Sequence, residues 1–189
     1  ELIRVPTAWN PGQFAAIVSA CRGTRTKRGW GPPHWLALAF TIYDTSLRIG
    51  CLLDSMLSQV NRAELRLMVP GELQKGRCDT SQPIHAETLR LLVMMPRASD
   101  DKRLFPWPFA RRTIWKKFES EILIPAGLPA GRRDKFHRIR RTSYSHVASK
   151  FGIAVASEHA AHKEDWSRFY LDPPFLDRPN PLDALPRPS

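Results

Sequence analysis

KFHRIRRTSYSHVASKFGIAVASEHAAHKEDWSRFY, residues 135–170, gathers His137, Arg140, His162 and Tyr170 into one short segment of mostly helical character. His137 and Arg140 are three positions apart, which on a helix puts both on one face and aims them at a common point. An arginine fork in that position can hold two oxygens of one phosphate. Gly152 interrupts the helix, a second short helix is predicted over Ile153–Ala161, and His162 follows it, eight residues before Tyr170. Such a set of side chains suits gripping a phosphodiester while a phenolic oxygen attacks it.

Upstream, YDTSLRIGCLLD (residues 43–54) sets Arg48 between two apolar runs at the start of a predicted helix. A guanidinium buried there needs partners, and the position calls for an anion. The helix before it, opened by Pro33 and running through HWLALAFTIYD, is apolar on nearly every side and is therefore predicted to be central. Asn10 and Pro11 start an earlier helix, in which Phe14, Ile17, Val18 and Cys21 form one apolar stripe ending near Gly23. After Gln59 the period changes to two: Leu65, Leu67 and Val69 alternate with Arg66 and Met68. Turn residues follow, and Gln82-Pro83-Ile84 begins a return, which predicts a small antiparallel sheet with Lys75 at or near a hairpin tip. A helix over Ala86–Val93 comes next. Ile114, Trp115, Phe118, Ile122 and Leu123 recur at helical spacing before Pro125 to Pro129 end that element. The fold class expected is mainly α with a small antiparallel β-sheet (α+β).

At 189 residues the chain can build one good core, and 29 Lys and Arg against 18 Asp and Glu give a formal charge of +11. That balance points to a polyanion, and nucleic acid outranks membrane because no apolar run approaches the ~18 residues of a spanning helix. The chain opens ELIRVPTAW, without a basic and then apolar leader. Cys21, Cys51 and Cys78 are an odd count without a C-x-x-C pair, which reads as reduced, intracellular and structural, with neither zinc nor disulfides implied. RGTRTKRGWGPP (22–33) is a basic, Gly/Pro-punctuated stretch that reads equally as a solvated loop or as a segment lying along a DNA backbone, and the arginines of AGRRDK (130–135) are phosphate-contact candidates. No cluster of carboxylates or Cys/His has ligand spacing and no phosphate-binding loop of the G-x-x-x-x-G-K type occurs, so no cofactor or metal is expected.

The order of these residues resembles that of the tyrosine recombinases, or phage integrases. DTSLRIGCLL is similar to their signature Thr-Gly-Leu-Arg-x-x-Glu-Leu, with Thr45, Leu47, Arg48 and Leu52 in register. Ser46 stands where the family has glycine and Cys51 where it has the acid. His137-x-x-Arg140, then His162, then Tyr170 resembles the family's C-terminal motif, with Ala160-Ala161 before the histidine and a spacing to the tyrosine one residue shorter than usual. His162 is favoured over His159, which falls inside the helix. Tyr43 and Tyr144 read as packing residues.

The resemblance, over about residues 10–172, implies a catalytic domain (1–172) followed by a proline-rich tail (173–189). It implies double-stranded DNA as partner, self-association on DNA into a tetrameric synapse, a cytoplasmic, nucleoid-associated setting, and a separate N-terminal DNA-clamping domain missing from this chain. Arg48, Arg140 and His162 would neutralise the phosphate oxygens, Tyr170 attack, His137 accept or orient the phenolic proton, and Lys75, on the family's hairpin, protonate the departing 5′ oxygen. The expected product is a 3′-phosphotyrosyl link that a second DNA end can reverse. Loss of the acid at Cys51 leaves Arg48 less rigidly held. A DNA-binding module without cleavage, or a type IB topoisomerase, would use the same fold.

Overall fold

The computed structural model describes residues 8–25, 29–74, 77–160 and 180–186. Helix α1 (Pro11–Gly23) opens with a reciprocal cap, in which Asn10 Oδ1 accepts from the Gln13 N–H at 2.8 Å and Gln13 Oε1 from the Asn10 N–H at 3.0 Å. Phe14, Ile17, Val18 and Cys21 are all buried, as their spacing predicts. Helix α2 (Pro32–Thr45) begins one residue earlier than expected and is buried along nearly its whole length. It packs against α1, α4 (Ala86–Met94) and α6 (Phe136–Phe151), so it is the centre of the domain. Each large apolar side chain buried there stabilises the fold by about 1.5–3 kcal/mol.

The sheet has three antiparallel strands in the order β1 (Val60–Asn61), β2 (Arg66–Val69) and β3 (Thr80–Pro83). Leu67 sits at its middle, opposite both Val60 and Gln82. Leu65, expected to alternate within the strand, instead closes the β1–β2 turn with φ 52°. That turn is organised by Asn61, whose Oδ1 accepts from the Glu64 N–H at 3.1 Å, so the strand starts one residue later. Across the core, Asp44 of α2 caps α4 from a distance, its Oδ2 accepting from the His85 N–H at 3.0 Å and from Thr88 Oγ1 at 2.6 Å.

The predicted helix carrying Ile114, Phe118, Ile122 and Leu123 is a composite. A 3₁₀ turn (Arg111–Thr113) leads into α5 (Ile114–Phe118) and then a π-helical turn (Glu119–Leu123), whose wider pitch keeps both Ile122 and Leu123 inside. Helix α6 ends at Gly152 with φ 88°, and α7 (Ile153–His159) stops two residues short of its expected end, with Ala160 in a turn. Part of the proline-rich tail packs on the domain: Leu182 and Leu185 are buried, and Tyr43 Oη donates to the Pro186 carbonyl at 3.2 Å. The architecture is mainly helical with a small antiparallel sheet, as expected. Among the described residues no helix is long and apolar enough to cross a membrane.

Candidate functional site

Helix α6 turns Phe136, Ile139 and Val147 into the core and carries His137 and Arg140 toward one cleft. The other wall comes from the segment after α2. Ser46, at φ 50°, turns the chain sharply, so that Leu47 and Leu52 point inward while Arg48 begins α3 (Ile49–Asp54) with its side chain outward. Arg48 was expected to be buried between apolar runs; it is exposed, because the left-handed turn rotates it out of the core. Its guanidinium makes no hydrogen bond or ion pair among the described residues.

The cleft measures about 440 Å³ and is lined by Arg48, Cys51, Asp54, Gln74, His137 and Arg140, among others. Arg140 is only 6% exposed and donates from Nη2 to the Ala160 carbonyl at 2.7 Å. Burial, and then the charge of Arg48, push its pKa down to about 10. A guanidinium whose charge is disfavoured by burial and by a second guanidinium beside it would be stabilised by an anion placed between the two. Asp54 is the one carboxylate among the described lining residues, and its Oδ1 is already taken by Arg111 Nη1 at 2.6 Å. His137 is lowered below the usual histidine range by burial and by the charges of Arg140, Arg141 and Arg48. Its imidazole is therefore neutral at neutral pH, able to accept a proton.

Among solved structures, the chain superposes on the crystal structure of XerA recombinase with a TM-score of 0.67 at 16% sequence identity, over 87% of this chain and 57% of that one. The fold is tyrosine-recombinase-like. No family model matches the chain, and no curated protein matches it in sequence. The chain spans little more than half the length of that recombinase.

Within this recombinase-like fold, Arg48, His137 and Arg140 come together as the sequence predicts. Lys75, His162 and Tyr170 lie outside the described residues. Gln74 and Ala160 both line the cleft. Gln74 also ties down the base of the β2–β3 connection, its Nε2 donating to the Val69 carbonyl at 3.2 Å, the Cys78 carbonyl at 3.0 Å and Thr80 Oγ1 at 2.7 Å.

The two departures from the family signature have distinct physical outcomes. Ser46 is the left-handed C-cap of α2, which costs a non-glycine residue about 1–2 kcal/mol. Its Oγ offsets part of that by donating to Ser143 Oγ at 2.8 Å on α6. Ser143 Oγ in turn lies 3.2 Å from Nε2 of His159, a buried histidine that sequence reasoning set aside. His159 stands next to Ala160, the residue that anchors Arg140, so the chain Ser46–Ser143–His159 joins the three elements behind the cleft. Cys51 is buried, and desolvation followed by the charge of Asp54 pushes its thiol up to about 11, so it stays neutral where the family has an acid. The spacing of Ser143 and His159 carries no motif, and only their contact identifies them.

Proposed function

We propose that this protein cuts and rejoins DNA strands through a 3′-phosphotyrosyl intermediate, as a recombinase or integrase. What carries the reading is the convergence of Arg48, His137 and Arg140 on one cleft whose lining carboxylate is already paired. Arg140, held by the Ala160 carbonyl, presents its remaining donors to a non-bridging phosphate oxygen, and Arg48, free to reorient, takes the other. Positive charge there stabilises the pentacoordinate transition state as negative charge grows on those oxygens. Tyr170 is the nucleophile, His162 a further donor to the phosphate, and neutral His137 orients or accepts the phenolic proton. Lys75 delivers a proton to the leaving 5′ oxygen. Several copies assembled on two duplexes would exchange strands by repeating this step.

The test is covalent capture. The full-length protein is mixed with a library of randomised duplexes, each nicked near its centre, so that the short fragment beyond the nick diffuses away after cleavage and religation fails. A denaturing gel should show protein joined to DNA, and peptide mapping should put the nucleotide on Tyr170. Binding without any adduct would assign the chain to a DNA-binding module on the same fold. An adduct on Tyr43 or Tyr144 would overturn the assignment of the nucleophile.

The +11 charge leads to a second expected result. Duplex affinity should fall by roughly 10³-fold or more between about 50 and 200 mM salt, the behaviour of a protein making six or more phosphate contacts. Binding that is indifferent to salt, measured by fluorescence anisotropy, would rule out a phosphate-dominated interface.

A further inference from the structure

The cleft contains a third arginine that the two-arginine site leaves unused. Arg111 opens the composite helix at residues 111–123, far in sequence from both motifs, yet it lines the same cleft as Arg48, His137 and Arg140. Its Nη1 donates to Asp54 Oδ1 at 2.6 Å and its Nη2 to the Gly50 carbonyl at 2.7 Å. These bonds use two of the five guanidinium donors. Its Nε–H has no partner among the described residues.

Three features argue that this seat exists for more than the ion pair. The pair is roughly half exposed, with side chains at 48% and 46%, and such pairs stabilise a fold by only about 0–1 kcal/mol. Gly50 gives the seat room: a Cβ at that position would lie 3.0 Å from Arg111 Nη2, so the guanidinium would have to shift by a few tenths of an ångström. Finally, a volume of about 440 Å³ falls in the range that encloses a drug-sized ligand, far more than one phosphate fills.

We propose that Arg111 is an additional DNA-contact residue, gripping the backbone phosphate next to the one held by Arg48 and Arg140, with Asp54 and Gly50 as its support. Asp54 holds the guanidinium against α3 in a fixed orientation, and the unused donors face the neighbouring phosphate across the cleft. The proposal rests on the phosphodiester reading of the cleft and extends it from one phosphate to two. Because its readout is binding, it is independent of whether strand cleavage occurs.

Duplex affinity of the full-length protein is measured by fluorescence anisotropy across a salt series, with thermal melting recorded for each variant. Arg111→Ala should weaken binding about tenfold and reduce the steepness of log affinity against log salt by about one, the loss of one phosphate contact. Arg111→Gln, which keeps a side-chain amide for the Gly50 carbonyl but removes the charge, should do the same, and it serves if the alanine variant does not fold. Asp54→Asn keeps a side-chain oxygen to accept from Arg111 Nη1, so the guanidinium stays seated while a negative charge leaves the cleft; the salt slope should be unchanged and affinity equal to or above wild type. A purely structural clasp predicts the opposite pattern: Arg111 and Asp54 variants melt alike and neither moves the slope. That result, in a wild-type protein that binds DNA, overturns this proposal alone; a wild-type protein that binds no DNA overturns it together with the phosphodiester reading.

Discussion

Tyr170→Phe and Arg140→Ala should each abolish the covalent adduct with DNA, by different routes. The tyrosine change removes one oxygen, the attacking atom, and should leave folding and DNA affinity at their wild-type values. The arginine change leaves the nucleophile intact and removes the fork that stabilises the transition state, which lowers cleavage by about 10³-fold. Its effect on stability is set by two opposing quantities. The Ala160 carbonyl loses a charged hydrogen bond, of the kind that contributes about 1.5–3 kcal/mol. Against that, a buried cation whose pKa has been pushed down to about 10 by burial and by Arg48 is removed. Melting should therefore shift by no more than a few degrees while activity disappears, the separation expected of a group kept for chemistry. Arg140→Lys should not restore cleavage, because an ammonium lacks the planar fork and the reach to hold the Ala160 carbonyl and a phosphate oxygen together. An adduct formed at wild-type rate by the Arg140→Ala protein would remove this residue from the mechanism.

The second large effect is on stability at acid pH. His159 is 3% exposed, and burial, followed by the Arg140 charge, pushes its pKa from 6.5 down to about 4. Because the folded value lies below the unfolded one, the unfolded chain binds the extra proton between these two pH values. Stability is thus complete above pH 6.5 and falls as the pH drops from 6.5 to 4, with a total loss of about 3 kcal/mol from this residue. His34, His137 and His146 are shifted in the same direction, so the wild-type protein alone does not isolate the effect. Urea unfolding of wild type and His159→Leu at neutral pH and near pH 4 does: the variant should lose less stability on acidification, by about 3 kcal/mol. Leucine leaves Ser143 Oγ its bond from Ser46, so the comparison is not spoiled by an orphaned hydroxyl. Equal acid sensitivity in the two proteins would mean that His159 is protonated in the fold, and that the link from Ser46 through Ser143 to His159 is not the neutral contact described.

Much of the molecule was legible in local patterns because local patterns are where the deciding forces act. Asn10 followed by Pro11 specifies a helix start through a capping side chain and a residue preset for the first turn, and α1 begins there. The nearly unbroken apolar character of Trp35 to Tyr43 specifies a helix with almost no face to give to water, and α2 is the buried centre. The spacing of His137 and Arg140 specifies a shared helix face, and both line the cleft. Where a residue's conformation is set by partners distant in sequence, the reading failed or stopped short. Arg48 lies between apolar runs and was taken to be buried, yet the left-handed Ser46 rotates it outward. Leu65 matches the alternation of a strand, yet the turn organised by Asn61 claims it.

What the sequence by itself determined is therefore the set of helices, the small sheet, and the face of α6 that carries His137 and Arg140, since each follows from periodicity and capping over one or two turns. Only the tertiary structure decided that Asp44 caps α4 from α2, that Ser46 reaches Ser143 and Ser143 reaches His159, that Ala160 holds Arg140, and that Arg111 and Asp54 enter the cleft. Those partners are 16 to 97 residues apart in the chain. A buried donor or acceptor must find some partner, but which one it finds depends on how the helices pack around α2, and no local pattern encodes that choice.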